Sequence, residues 1–422
     1  MPTTLISPPG SDRESALPQA PSHAPAPAPL WALGVVTWFN SFGSGILWSG
    51  VPFVTERQYG FTQGENLALA IAQAVIYVVV ALTSGPVMRR AERAWGVTPR
   101  GWLVGVLLVQ LVGSLLALAG AAGVVVASCM LSAIGATLWP LMESYVSSGR
   151  HGGVMRRAIG IFNVTWMSAT GAALLVMAPL VGTGSANLSL LALVPVSLIS
   201  LVVLRWFPAR PAPHAHEHAH THLAPNYPAL LRATRYLIPL AYVFVSLLGP
   251  VMPFLLESLR MDDTWKTPLT STWMFARMGT VMVLAMASFW HGRWGALALG
   301  IALMAGGFAA VALAPSAGAA FAGLLAFGAG HGILYYAGLY YAMAVGSADV
   351  DAGGLFEGLI GAGYVVGPLA GLAGSALAHG GGMAPQSGMV VAVGAVALIG
   401  VVPAAVAYRR ALPGRGTVTA QR

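Results

Sequence analysis

Apolar stretches long enough to cross a bilayer, which takes roughly 20 residues, recur along the whole 422-residue chain. They lie near 31–54, 65–86, 101–119, 122–146, 157–181, 187–206, 233–256, 268–290, 294–313, 317–345, 354–377 and 388–408. Backbone N–H and C=O groups find no water in hydrocarbon, so each stretch must pair its own and run as a helix. Only 8% of the residues are charged, against about a quarter in soluble domains. The expected fold is an all-α polytopic membrane protein of twelve transmembrane helices. Stretches such as Ala119–Gly123 and Val181–Asn187 are short, uncharged connections that leave no room for a soluble catalytic domain. No nucleophile–base pair or paired carboxylates stand at membrane depth, so an enzyme is not expected. No Gly-x-x-x-x-Gly-Lys-Ser/Thr loop is present for ATP, and no cofactor is expected.

One segment interrupts the pattern. Between Arg205 and Arg235 the chain carries Pro208, Pro211, Pro213, Pro225 and Pro228 around His214, His216, His218, His220 and His222. Six apolar runs precede it and six follow. The reading is a tail over 1–29, a six-helix bundle over 30–206, a His/Pro-rich linker over 207–232, a second bundle over 233–410 and a tail over 411–422. The first tail is rich in Pro, Ala and Ser and lacks the apolar core of a signal peptide, so it reads as disordered. Alternate imidazoles on a flexible chain can gather round Zn(II), Cu(II) or Ni(II). They lack a fixed scaffold, and a solvated spacer is the favoured reading. The one cysteine, Cys129, excludes an intrachain disulfide.

The net charge of +8 is informative through its distribution and does not point to nucleic acid. Placing the linker in the cytoplasm puts 17 of the 21 basic residues on that side. Arg57, Arg260 and Lys266 fall outside, and Arg277 lies within a span. Such an excess sets orientation. Both termini are then cytoplasmic, in a protein expected in a bacterial inner membrane.

The halves echo one another in parallel order. Pro52-Phe53 ends the first span and Pro253-Phe254 the seventh. Arg157-Ala-Ile-Gly-Ile-Phe-Asn163 opens the fifth, and Asp351-Ala-Gly-Gly-Leu-Phe-Glu357 the eleventh. Parallel repeats of this kind place a substrate site between the halves near mid-membrane. Gly85-Pro-Val-Met-Arg89-Arg90 after the second span, His291-Gly-Arg293-Trp-Gly295 after the eighth and Gly363-Tyr-Val-Val-Gly367-Pro368-Leu-Ala-Gly371 in the eleventh carry a resemblance. Met177-Ala-Pro179-Leu-Val-Gly182 is a poorer copy of the last. Over residues 30–410 the layout resembles the major facilitator superfamily. That resemblance implies two six-helix bundles, a central cavity and alternating access. Arg89 stands where the family's loop has an Asp.

Ionisable groups inside spans are costly and are functional candidates by default. Arg277 sits in the eighth span on a polar stripe with Thr270, Trp273, Thr280 and Ser288. His331 and Tyr335 lie one turn apart in the tenth, and both offer donors and acceptors. The resemblance implies that the first, fourth, seventh and tenth spans line the cavity, which adds Asn40 and Trp139 as substrate contacts. Trp48 reads as an interfacial anchor. Glu143 and Glu357 stand near the inner ends of their spans, where inner-loop arginines would pair with them. With Arg89, Arg90 and Arg157 they form the expected gating or coupling set. Met274, Met278, Met282 and Met286 repeat every four residues and read as packing.

The leading expectation is a secondary active or facilitative transporter of a small solute, an anionic organic molecule being the candidate, monomeric in the bilayer. A transition-metal transporter drawing on the methionines and the histidine run, and a non-transporting membrane sensor, are the alternatives.

Overall fold

The computed structural model describes residues 26–150, 152–212, 226–345 and 350–411. The histidine run over 214–222 lies outside these residues, as does most of each tail. The described chain is helical, with no strand among the described residues. We label the helices α1 Leu30–Tyr59, α2 Gln63–Trp95, α3 Pro99–Leu115, α4 Gly120–Ser147, α5 Gly152–Gly182 and α6 Leu188–Trp206. The labels continue with α7 Tyr227–Ser258, α8 Asp263–Met286, α9 Trp294–Ala312, α10 Ala317–Val345, α11 Val350–Gly381 and α12 Pro385–Ala411.

Among the described residues ten stretches are long and apolar enough to cross a membrane. Two features separate this count from the sequence expectation. Residues Pro99–Ser147 form one apolar stretch, broken into α3 and α4 by a 3-10 turn over Leu116–Ala119 and by Gly120 at φ 75°. The other is α8, which is absent from the ten and carries Asp263, Lys266 and Arg277 among its threonines.

Helix ends follow local chemistry. A capping box starts α2, with the Thr62 amide donating to Glu65 Oε2 at 2.7 Å and the Glu65 amide to Thr62 Oγ1 at 3.3 Å. This satisfies two otherwise orphaned donors. Gly60 and Gly96, both at φ 67°, end α1 and α2. Asp262 caps α8 by accepting from the Thr264 amide at 2.9 Å. That bond holds the Asp262 carboxyl below the usual carboxylate range. Several helices overrun the expected spans. The seventh begins at Tyr227 rather than near 233, and the eighth covers Asp263–Met286 rather than 268–290. Ser288 therefore lies past the helix, off the expected stripe.

Within the first six helices α1 packs on α5 and α6, α2 on α4, and α3 on α4 and α6. Within the last six α7 packs on α10, α11 and α12, and α9 on α10. The two sets meet mainly through α5 against α8 and α2 against α11. Lipid offers no hydrophobic drive for association, so close backbone approach at small residues does that work. A Cβ on Gly323 would come within 3.0 Å of the Gly307 carbonyl, joining α9 to α10. One on Gly363 would lie 2.6 Å from Tyr242 Cβ, joining α11 to α7. Ser246 Oγ also donates to the Gly363 carbonyl at 3.1 Å. The glycine signature of the eleventh span is thus a packing surface for α7.

The two ends of the bundle differ. At the end away from the chain termini, Arg57 of α1 pairs with Asp263 of α8 at 2.9 Å. Gln63 of α2 donates to Ser375 of α11 at 3.4 Å. Lys266, buried, pairs with Asp263 at 2.7 Å and with Glu257. At the terminus end the loops and helix ends bond within their own set of six helices. The polar contacts that join the sets on that side, Tyr77–Glu357 and Tyr335–Asn163, lie deeper, at the cavity. Arg100 Nη1 donates to the Phe207 carbonyl at 2.9 Å, and Arg210 pairs with Glu92 at 2.8 Å. Asn226 bonds Gly292, and Tyr227 lies 3.1 Å from the Tyr340 hydroxyl.

Candidate functional site

The two helix sets enclose a central cavity of about 140 Å³, room for a small molecule rather than a single water. Ser44 and Trp48 of α1, Tyr77 of α2 and Trp139 and Glu143 of α4 line one side. Tyr242 of α7, Trp273 and Arg277 of α8, Tyr335 of α10 and Glu357 and Tyr364 of α11 line the other. Phe162 and Trp166 of α5 complete the wall.

The α1 wall depends on a local departure from α-helical geometry. Ile46–Gly50 form a π turn between two α segments, a device that often marks functional positions. Gly45 precedes it and Gly50 is its last residue. A Cβ on Gly45 would sit 2.6 Å from the Thr170 carbonyl of α5, so only glycine fits. The turn presents Trp48 to the cavity, where it stacks on Tyr364 with centroids 4.4 Å apart and planes at 8°. Trp48 is therefore a cavity residue in contact with the opposite helix set, and the expectation of an interfacial anchor is corrected.

Arg277 is 5% exposed. Its guanidinium carbon lies 4.3 Å from the Trp166 ring centroid and 4.5 Å from that of Tyr335. Cation–π attraction of about 0.5–2 kcal/mol holds such a group in place. Nε and Nη2 are buried and have no hydrogen-bond partner. Among the described residues no carboxylate forms an ion pair with Arg277.

Glu357 accepts from the Tyr77 hydroxyl at 2.9 Å. Asn163 accepts from the Tyr335 hydroxyl at 3.1 Å and from Trp166 Nε1 at 3.0 Å. Asn163 and Glu357 are the matching last residues of the two heptapeptides that open the fifth and eleventh spans. Each reaches a tyrosine of the other helix set. Glu143 lines the cavity, and its carboxylate bonds no described residue. The expected inner-gate salt bridges of Glu143 and Glu357 are not formed among the described residues. Arg89, Arg90 and Arg157 are exposed, away from the cavity.

Of the expected substrate contacts, Trp139, Trp273, Arg277 and Tyr335 line the cavity. Thr280 does not; its hydroxyl donates to the Ala276 carbonyl at 2.9 Å. His331 is fully buried behind the wall, 5.3 Å from the Tyr242 ring and 5.9 Å from that of Trp273. Neither ring nitrogen of His331 has a partner. Asn40 is also displaced from the expected role. Its amide donates to Ser200 Oγ at 3.0 Å and to the Val36 carbonyl at 2.8 Å, and accepts from Gln110 at 3.1 Å. This buried polar knot joins α1, α3 and α6. Asn40→Ala is expected to lower stability by about 1–3 kcal/mol, while the flux of the folded protein is retained. The change removes one of the two acceptors of the Gln110 amide, the other being Ser197, and the donor to Ser200. Thermal unfolding beside a liposome flux assay checks this. Tyr77, Trp166, Tyr242 and Tyr364 were not singled out by sequence reasoning. Aromatic residues are common in apolar spans, and only their convergence distinguishes these four. Of the methionine ladder, Met274 lines the cavity, whereas Met282 and Met286 are 44% and 88% exposed on the outer surface.

Residues 33–351 match the family described as Major Facilitator Superfamily. No curated protein sequence matches the chain. Among solved structures, the nucleoside transporter NupG is similar at a TM-score of 0.65 with 12% identity, over 92% of this chain and 99% of that one. A bacterial homologue of the human lysosomal transporter Spinster, inward-facing and unoccupied, gives 0.64 with 14% identity over 92% and 98%. A POT family transporter in complex with 5-aminolevulinic acid gives 0.69 with 11% identity over 91% and 96%.

Proposed function

The chain belongs to the major facilitator superfamily of membrane transporters, and from that premise we propose that it carries a small organic solute bearing a negative charge by alternating access. Twelve helices cross the membrane in two six-helix halves, and the solute sits between them. The observation that carries the reading is Arg277, buried against the cavity with two guanidinium nitrogens unpartnered. An uncompensated charge at membrane depth is expensive. A carboxylate or phosphate meets it bidentately. Trp139, Trp273 and Tyr335 shape the space around that anion. Glu143 and Glu357 serve binding or coupling rather than an inner salt bridge.

The matched tyrosine bonds of Asn163 and Glu357 support the parallel-repeat reading. The Arg57–Asp263 pair joins the halves at the end away from the termini. On the other side the inter-half hydrogen bonds of the described residues, Tyr77–Glu357 and Tyr335–Asn163, lie at the cavity, and none lies nearer the termini. This favours a state open toward the termini. With the termini in the cytoplasm, as the arginine excess favours, that state faces inward. In a bacterial inner membrane, a reporter fused after Arg410 that works only in the cytoplasm is expected to be active. Activity from a reporter that works only outside it would reverse the orientation. The function is tested by thermal unfolding of the purified protein against small carboxylates and phosphates, since a ligand of the native state stabilises it. An acid that stabilises the wild type and not Arg277→Gln supports the reading. Stabilisation by neutral solutes alone would sink it.

A further inference from the structure

The guanidinium of Arg277 is one ionisable group in the cavity, and the carboxyl of Glu143 is another. Arg277 stands on α8 of the second half, Glu143 on α4 of the first, and both line the same chamber. They form no ion pair with one another. The Glu143 carboxylate bonds no described residue, whereas Glu357 is occupied by Tyr77. The empty cavity thus holds a guanidinium and a carboxyl that are each short of a partner.

We infer that the occupant is a zwitterion, presenting a carboxylate or phosphate to Arg277 and an ammonium group to Glu143; this rests on the anion reading of Arg277 given above. A solute with only a negative group would satisfy Arg277 and add like-charge repulsion at Glu143 and Glu357. A solute with only a positive group would leave Arg277 unpaired in a largely apolar chamber. A solute carrying both charges meets both deficits at once. Trp139 lies four residues before Glu143, on the same face of α4 and on the same cavity wall. Its ring offers the face that an ammonium group favours. Because the two charges belong to different halves, a zwitterion bridges them, and its binding is tied to how the halves are disposed.

A proton on Glu143 is the other source of positive charge, and matched probes separate the two. The full chain in nanodiscs is titrated with phenylalanine, 3-phenylpropionate and 2-phenylethylamine, and with 5-aminopentanoate, pentanoate and pentylamine. Binding is read by thermal shift in wild type, Glu143→Gln and Arg277→Gln. In at least one trio the amino acid is expected to bind about 30-fold tighter than its deaminated acid, the lower range for a desolvated charge pair. Glu143→Gln erases that preference and leaves the acid's own shift. Arg277→Gln removes the shifts of acid and amino acid alike. If acid and amino acid bind equally to wild type, the zwitterion fails and the anion reading stands. If amines bind and Arg277→Gln changes nothing, both fail. The inference also fails if no probe in either trio shifts the wild type. A Glu143→Gln protein that keeps the amino-acid preference but loses the pH dependence of acid binding would assign Glu143 to a proton instead. Glu143→Asp, which keeps the charge, is expected to retain part of the preference and so guards against a folding defect.

Discussion

Arg277→Ala is expected to abolish transport while leaving the protein folded and its unfolding temperature little changed. Two opposing magnitudes keep the stability effect small. A lone arginine at the centre of a span costs about 2.5–3.5 kcal/mol on insertion scales. Its two cation–π contacts, with Trp166 and Tyr335, return about 0.5–2 kcal/mol each, a total comparable to that cost. With no carboxylate paired to it among the described residues, the empty protein gains or loses little when the charge is removed. The loaded protein loses the group that meets the anion, a loss of about 2–5 kcal/mol in binding. Arg277→Lys keeps the charge without the planar fork and is expected to retain weak flux. The double change with Glu357→Ala is a decisive control. Glu357 is bonded to Tyr77 at 2.9 Å and not to Arg277, so removing it should not rescue Arg277→Ala. Flux in proteoliposomes with thermal unfolding of each variant reads these outcomes. A rescued double variant would make the pair structural and end the anion hypothesis.

Gly328→Leu is expected to damage both folding and transport. Gly328 lies on α10 where α8 crosses it. A Cβ there would overlap the Trp273 carbonyl and lie 2.9 Å from Ala276 Cβ. The obstacle is backbone, which cannot rotate aside as a side chain would, so α8 must shift as a unit. Trp273 and Arg277 shift with it. Overpacking costs about 1–3 kcal/mol, occasionally more, and a backbone collision belongs at the upper end. Gly306→Leu on α9 is the matched control. Nothing lies within 4 Å of its added Cβ, and losing a helical glycine gains up to about 1 kcal/mol. Unfolding temperature and flux of the two variants side by side test the pair. A Gly328→Leu protein of wild-type stability would mean that α8 and α10 are not held at this spacing.

The apolar runs by themselves determined that this chain is helical and lies in a membrane, because hydrocarbon leaves the backbone no other way to pair its polar groups. Rarity made Arg277, Glu143 and Glu357 legible for the same reason: a charge in an apolar span needs a cause. Sequence could not decide what such a residue faces. Asn40 and Trp48 share a helix face on an ideal wheel, yet one is tied into the α1–α3–α6 knot and the other stacks on Tyr364. The π turn at Ile46–Gly50 changes the helical phase between them, and no residue pattern announces it. Thr280 and His331 carried polar groups on the expected stripes and stand behind the wall, because helix packing fixes which arc of a stripe meets the cavity. The partners of the two acids were likewise a tertiary matter. Proximity to inner-loop arginines along the chain suggested salt bridges. Glu357 found Tyr77 instead, across the junction of α2 with α11, because the facing helix was closer than the loops.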